Sequence, residues 1–124
     1  MARLATIDAD GRPHLVPIVF ALDGDTLYSA VDRKPKRSRR LQRIENARAR
    51  PDVTILVDHY EDDWSRLWWI RLRGRARVLD EGEERERALA LLARKYPRYR
   101  LEPPDGAVLA VDVTEVRDWT ASAR

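Results

Sequence analysis

Nine lysines and arginines lie between positions 33 and 50, and Glu45 is the one acid among them. Just ahead, "TLYSAV" carries the hydroxyl-bearing pair Tyr28 and Ser29. Cations in this number can grip an anion. Lys and Arg make charge-assisted hydrogen bonds to phosphate or carboxylate oxygens, and a helix start adds unpaired N–H groups. On a helix turning about 100° per residue, Lys36, Arg39, Arg40 and Arg43 share one face. Three occupants suit such a run: a nucleic acid, the anionic tail of a cofactor, or only solvent over a charge-laced face.

No other cluster stands out. His14 and His59 lie apart, without neighbours that would make either a catalytic base. The chain has no cysteine, and two separated histidines lack the close spacing of zinc or iron sites. Asp58, Glu61, Asp62 and Asp63 lack the glycine and alternate spacing of a calcium loop, so they are expected to form a turn or to partner arginines. No GxGxxG or GxxxxGK[ST] phosphate loop is present.

A length of 124 residues fits one domain with a real core. Charged residues make up 36 % of the chain, yet the net charge is only +3, so the basic run is a local concentration. A nucleic-acid binder usually spreads its excess over a whole face, and the run lacks aromatics for base stacking; no nucleic-acid partner is expected. The lack of cysteine excludes disulfides and fits a reducing cytoplasm. No apolar run approaches the roughly 18 residues of a membrane span, and the N-terminus has no signal-peptide pattern. The expectation is a cytoplasmic protein with no membrane partner.

Elements that would position the cations follow from turn chemistry and periodicity. "DADG" (8–11) and "DGD" (23–25) separate "ARLATI", "PHLVPIVFAL" and "TLYSAV", which predict three antiparallel strands. Pro17 cannot donate to a ladder, so it predicts an edge or a bulge. Pro35 suits the first turn of a helix that ends at Pro51 and docks through Leu41, Ile44 and Ala47. "DVTILVD" (52–58) predicts a strand buried on both faces. In "RLWWIRLRGRARVL", Leu67 and Trp69 point one way and Trp68, Ile70 and Leu72 the other. Apolar groups on both sides need cover, so a second copy of the chain is expected against one of them.

"EGEERERALALLARKYP" is the clearest helix, with acids in its first turn and Arg94 and Lys95 in its last, as the helix dipole favours. Its buried stripe is Ala88, Leu89, Leu92 and Tyr96, and Pro97 is expected to stop it. "PPDG" then turns the chain into the last strand, "AVLAVDVTEVRDW". The order β-β-β-α-β-β-α-β predicts a mainly β fold with two or more helices, built as a closed or half-closed barrel.

In this order and spacing, "ARLATIDADGRPHLVPIVF", "LYSAVDRKPKRSRRLQRIENARARPDVTILVDHY" and "WWIRLRGRARV" resemble the split β-barrel flavin and deazaflavin oxidoreductases. This is the pyridoxamine 5′-phosphate oxidase-like superfamily, with its FMN-binding split barrel. The shared pattern is A-x-L-A-T-x-x-x-x-G-x-P-x-x-x-P, a K/R-rich helix, a P-x-V-x-L-x-V strand and a G-x-A-x-V strand. "VDHYEDDWSRLWWIR" is most similar to the branch that uses the deazaflavin coenzyme F-420.

The resemblance implies a homodimer with cofactor sites between subunits and a hydride transferred between reduced F-420 and an electron-poor small substrate. The cofactor would carry the chemistry while the protein supplies position and electrostatics, which suits the lack of a catalytic constellation. Carried over by position, Pro17, Ile18, Val19 and Phe20 would flank the ring. Tyr28 and Ser29 would sit where a strand end meets the cofactor, and Lys36, Arg37, Arg40 and Arg43 would take its phosphate and acidic tail. Trp64, Trp68 and Trp69 would contribute from the second subunit, or pack the dimer core. Relatives commonly carry a helix before the first strand, whereas Met1 stands almost on it here, so a more open pocket is expected. The alternatives are FMN as cofactor in the same fold, a nucleic-acid module using residues 33–50, and a cofactor-free barrel holding a hydrophobic ligand.

Overall fold

The computed structural model describes residues 1–31 and 41–121. Seven strands and three helices follow one another as β1 (Ala2–Ile7), β2 (Pro13–Ile18), β3 (Ala21–Asp23), β4 (Thr26–Ala30), α1 (Gln42–Ala49), β5 (Asp52–His59), β6 (Trp68–Leu79), α2 (Glu83–Lys95), α3 (Pro97–Leu101) and β7 (Val108–Thr120). The strands form one antiparallel sheet in the order β2-β1-β5-β6-β7-β4-β3.

β2 and β3 are opposite edges of that sheet, yet only Val19 and Phe20 separate Ile18 from Ala21. Three Cα steps reach no more than about 11 Å. The sheet must therefore curl until its two edges meet, which makes a barrel split where β2 and β3 run unpaired. The single strand expected over 13–22 is thus two strands, broken where the chain steps from one edge to the other.

Alternation sorts side chains between the barrel interior and its outside. Leu4, Ile18, Leu27, Val53, Ile55, Ala76, Leu109 and Val111 fill the interior, joined by Ile44 and Ala47 of α1. The opposite faces of β4 and β7 carry Tyr28, Ala30, Val108 and Ala110, covered by Ala88 and Leu92 of α2 and by Tyr99 of α3. The stripe expected on α2 is therefore the one it buries. Asn46, buried in α1, donates to Thr6 Oγ1 at 2.9 Å and accepts from Gln42 Nε2 at 2.7 Å, so its amide costs little to bury.

Between Arg73 and Gly74 the β6–β7 register shifts. A Cβ on Gly74 would press into the Asp112 carbonyl oxygen and stand 2.8 Å from Val111 Cγ1. Only glycine lets the two strands approach this closely.

Two further expectations need correction, and one helix was not expected. Leu41 is extended (φ −100°, ψ 134°), so α1 begins at Gln42, and a helix running unbroken from Pro35 is excluded. β5 buries one face, through Val53 and Ile55, while Thr54 and Leu56 are only half-buried, because no helix among the described residues packs closely on the outer side there. α2 stops at Lys95, ahead of Pro97 as expected, but Pro97 also opens the short helix α3, which was not expected and where its missing N–H is no loss. The alternation of the tryptophan strand stands, since Trp69 and Arg71 pair with the outward residues Asp58 and Leu56 of β5.

Candidate functional site

A residue pair that exchanges two ladder hydrogen bonds needs an N–H on both sides. Pro17 has none, so its pairing with Arg3 is of the non-bonded kind, and Pro13 and Leu15, in step with it, also turn their N–H sides to the free edge. With proline at two of these three positions, Leu15 is the only outward donor on this edge of β2. The edge is blunted against a further strand, and the backbone beyond Pro17 is left to line a cleft.

That cleft, of about 230 Å³, is walled by Pro17, Ile18, Val19, Ala30, Val31, Arg43 and Tyr99. The step between sheet edges forms one side and the end of β4 another. Arg43 enters from the first turn of α1, and Tyr99 from α3, its hydroxyl directed at the Ala30 carbonyl at 3.4 Å. Of the residues expected at the cofactor, the cleft gathers Pro17, Ile18, Val19 and Arg43. Lys36, Arg37 and Arg40 lie outside the described residues.

Phe20, Tyr28 and Ser29 stand behind this wall. Ser29 faces inward and donates to the Val19 carbonyl at 2.8 Å. The Phe20 N–H donates to the Tyr96 hydroxyl at 3.2 Å, while the Phe20 carbonyl accepts from Tyr96 at 3.0 Å and from Lys95 Nζ at 2.7 Å. Lys95 Nζ also lies 4.0 Å from the centre of the Phe20 ring, a cation–π contact. The Val19–Phe20 step is thus clamped from β4 and from the end of α2.

Tyr28 points the other way, under α2, and donates to Glu84 Oε2 at 2.7 Å. Burial and this carboxylate push its phenol pKa up. Arg77 grips Glu84 at 2.7 Å and Asp112 at 2.6 Å, and with the Tyr28 bond it lowers the Glu84 pKa to about 2. This network joins α2 to the barrel and has no part in the cleft.

The tryptophans build a separate place. Leu56, Asp58, His59, Tyr60, Leu67, Trp68, Trp69, Arg71 and Trp119 surround a largely apolar cleft of about 430 Å³. Trp64, in a single 3-10 turn (Trp64–Arg66), is exposed. His59 stacks on Trp68 with ring centres 6.2 Å apart and bonds to Glu61, which also takes Arg66 at 3.2 Å. The acidic loop does partner arginines, as expected.

Sequence reasoning missed Tyr99, Tyr96 and Lys95. Reading Pro97 as a stop hid α3, and a tyrosine three residues past a helix end gave no signal of its own.

The family model described as pyridoxamine 5′-phosphate oxidase matches residues 1–120. Among solved structures, a conserved hypothetical protein of Mycobacterium tuberculosis superposes with a TM-score of 0.76 at 22% identity, over 97% of this chain and 76% of that one. HupZ of Group A Streptococcus gives 0.73 at 26% identity, over 98% and 86% of the two chains. A heme binding protein of Mycobacterium smegmatis gives 0.77 at 21% identity, over 99% of this chain and 50% of that one. No curated protein matches the chain. With a family model spanning nearly its whole length and the split barrel shared by these neighbours, the chain belongs to the pyridoxamine 5′-phosphate oxidase family.

Proposed function

We propose that the chain is one subunit of a homodimeric oxidoreductase that holds a flavin-type cofactor, F-420 or FMN, against the end of β2. It would exchange a hydride with an electron-poor small organic substrate. The observation that carries this reading is the cleft itself: a donor-poor strand end meets Arg43, a member of the cationic run 33–50. At about 230 Å³ the cleft is smaller than the roughly 300–1,000 Å³ of complete small-molecule sites. A second copy is therefore assigned the opposite wall, to which its tryptophan strand, with Trp68 on one face and Trp69 on the other, would contribute.

When bound, the cofactor supplies the hydride chemistry, which no side chain here provides. Pro17, Ile18 and Val19 offer aliphatic and backbone contact to a planar ring. Ser29, Tyr96 and Lys95 hold that segment in place through Val19 and Phe20. Tyr28 acts further back, fixing β4 to Glu84. Arg43, with Lys36, Arg37 and Arg40 of the adjoining run, takes the anionic tail.

Titration of the purified protein with F-420, FMN and haemin in parallel tests the reading. Saturable binding of F-420 or FMN is expected, weakened about tenfold or more in Arg43→Ala, since a charge-assisted contact contributes about 1.5–3 kcal/mol. A flat response to both flavins contradicts it. A second reading, haem binding, draws support from His59, which stacks on Trp68 and bonds to Glu61 beside an apolar cleft, and from the neighbour named as a heme binding protein. It is favoured if haemin alone binds and His59→Ala abolishes its absorbance band.

A further inference from the structure

Arg43 reaches the cleft from an element that has little to hold it. α1 is eight residues long, and helices shorter than about 12–15 residues are marginal by themselves. Leu41 ahead of it makes no side-chain cap, so the first turn, which carries Arg43, lacks the usual bond that stops fraying. Its apolar anchors in the barrel are Ile44 and Ala47. Apolar attraction is non-directional. One branched chain and one methyl group draw the helix inward without fixing how it is turned or how far along it sits.

A directional contact does that. The buried Asn46 amide donates to Thr6 Oγ1 of β1 at 2.9 Å, and its Oδ1 accepts from Gln42 Nε2 at 2.7 Å. One end of the amide is tied to the barrel and the other to the residue next to Arg43. A buried amide selects one register, because any other leaves its polar atoms unpaired. Arg43 and Asn46 stand about 60° apart around the helix. A slip of one residue would turn Arg43 by about 100° and shift it about 1.5 Å along the axis, away from the cleft wall.

We infer that the Asn46–Thr6 hydrogen bond sets Arg43 in the cleft wall, which makes Asn46 and Thr6 positioning residues for phosphate binding although neither lines the cleft. For the phosphate of the proposed cofactor this rests on the reading above; for any other phosphate held by Arg43 it does not. A displaced guanidinium loses its charge-assisted bond, whose strength depends on geometry. The aliphatic wall of Pro17, Ile18 and Val19 is untouched by that displacement. The effect therefore falls on the phosphate and spares the ring.

The test compares ligands with and without the phosphate: FMN beside riboflavin, and F-420 beside 8-hydroxy-5-deazariboflavin, each titrated by its own fluorescence. Thr6→Val removes the acceptor and keeps the branched shape. It is expected to weaken FMN or F-420 binding at least about threefold and binding of the phosphate-free counterpart not at all. Thr6→Ser, which keeps the hydroxyl, is expected to bind like wild type. Arg43→Ala is expected to lose less affinity in the Thr6→Val background than in wild type, because both changes remove one interaction.

A role in packing alone would lower stability in urea and leave the ratio of the two affinities unchanged. That result, or equal weakening of both members of a pair, overturns the inference and leaves the cofactor reading standing. Should Thr6→Val fail to fold, Gln42→Leu at its exposed position decides by the same ratio: a fall supports the inference and no change overturns it. If no flavin binds, the cofactor reading falls, and calorimetric titration with pyrophosphate decides here. Affinity lost in Arg43→Ala and reduced in Thr6→Val supports the inference. No binding by wild type, or binding indifferent to Thr6→Val, overturns it.

Discussion

Pro17 shows how one residue shapes a site by what it lacks. Without an N–H it fixes which side of β2 faces the free edge, and with Pro13 it leaves a strand end that other strands cannot easily extend. That much was legible in the sequence, because the chemistry of proline is local. The groups that hold the next two residues were not legible: Tyr96 and Lys95 lie more than seventy positions away and meet Phe20 only because the barrel closes. Tyr96→Phe removes the acceptor of the Phe20 N–H. Urea unfolding is expected to show a loss of about 1–2 kcal/mol, the usual cost of an unpaired backbone donor. Unchanged stability would mean that water takes the place of the phenol.

Among the elements, α2 was the easiest to read and is the most firmly tied down. Its acids occupy the first turn and its cations the last, and Ala88 and Leu92 are both 0% exposed. Its link to the barrel through Glu84, Arg77, Asp112 and Tyr28 was invisible beforehand, since each member sits on a different element and only the β4–β7–β6 register brings them together.

The network gives stability a pH dependence. Glu84 has a folded pKa of about 2 against an ordinary 4.5, so its contribution is fully present above pH 4.5 and is lost as pH falls toward 2. Asp112 shifts in the same direction, chiefly through Arg77. Wild type is expected to lose more stability between pH 5 and pH 3 in urea melts than Glu84→Gln does. Parallel losses in the two proteins would remove Glu84 from the account. Elements at the cleft were harder to read. The break at Val19–Phe20 carries no turn signal, because it is imposed by the closing of the sheet, and α3 lay behind a proline taken as a stop.

For the molecule as a whole, composition and strand pattern were enough for a single barrel, and the motif order was enough for the family. Which faces stay open was only half legible. The sequence placed apolar residues on both sides of β6, and the structure leaves Trp68 37% and Trp119 46% exposed. A second subunit laid around this end of β6 would cover them and complete a cleft too small by itself. The central claim is that a flavin-type cofactor lies along residues 17–19 beside Arg43. Amide chemical-shift mapping of the ¹⁵N-labelled protein with F-420 or FMN tests it most directly. The account predicts the largest shifts at Ile18, Val19, Ala30, Val31 and Arg43, whereas shifts confined to the tryptophan cleft, or none at all, would contradict it.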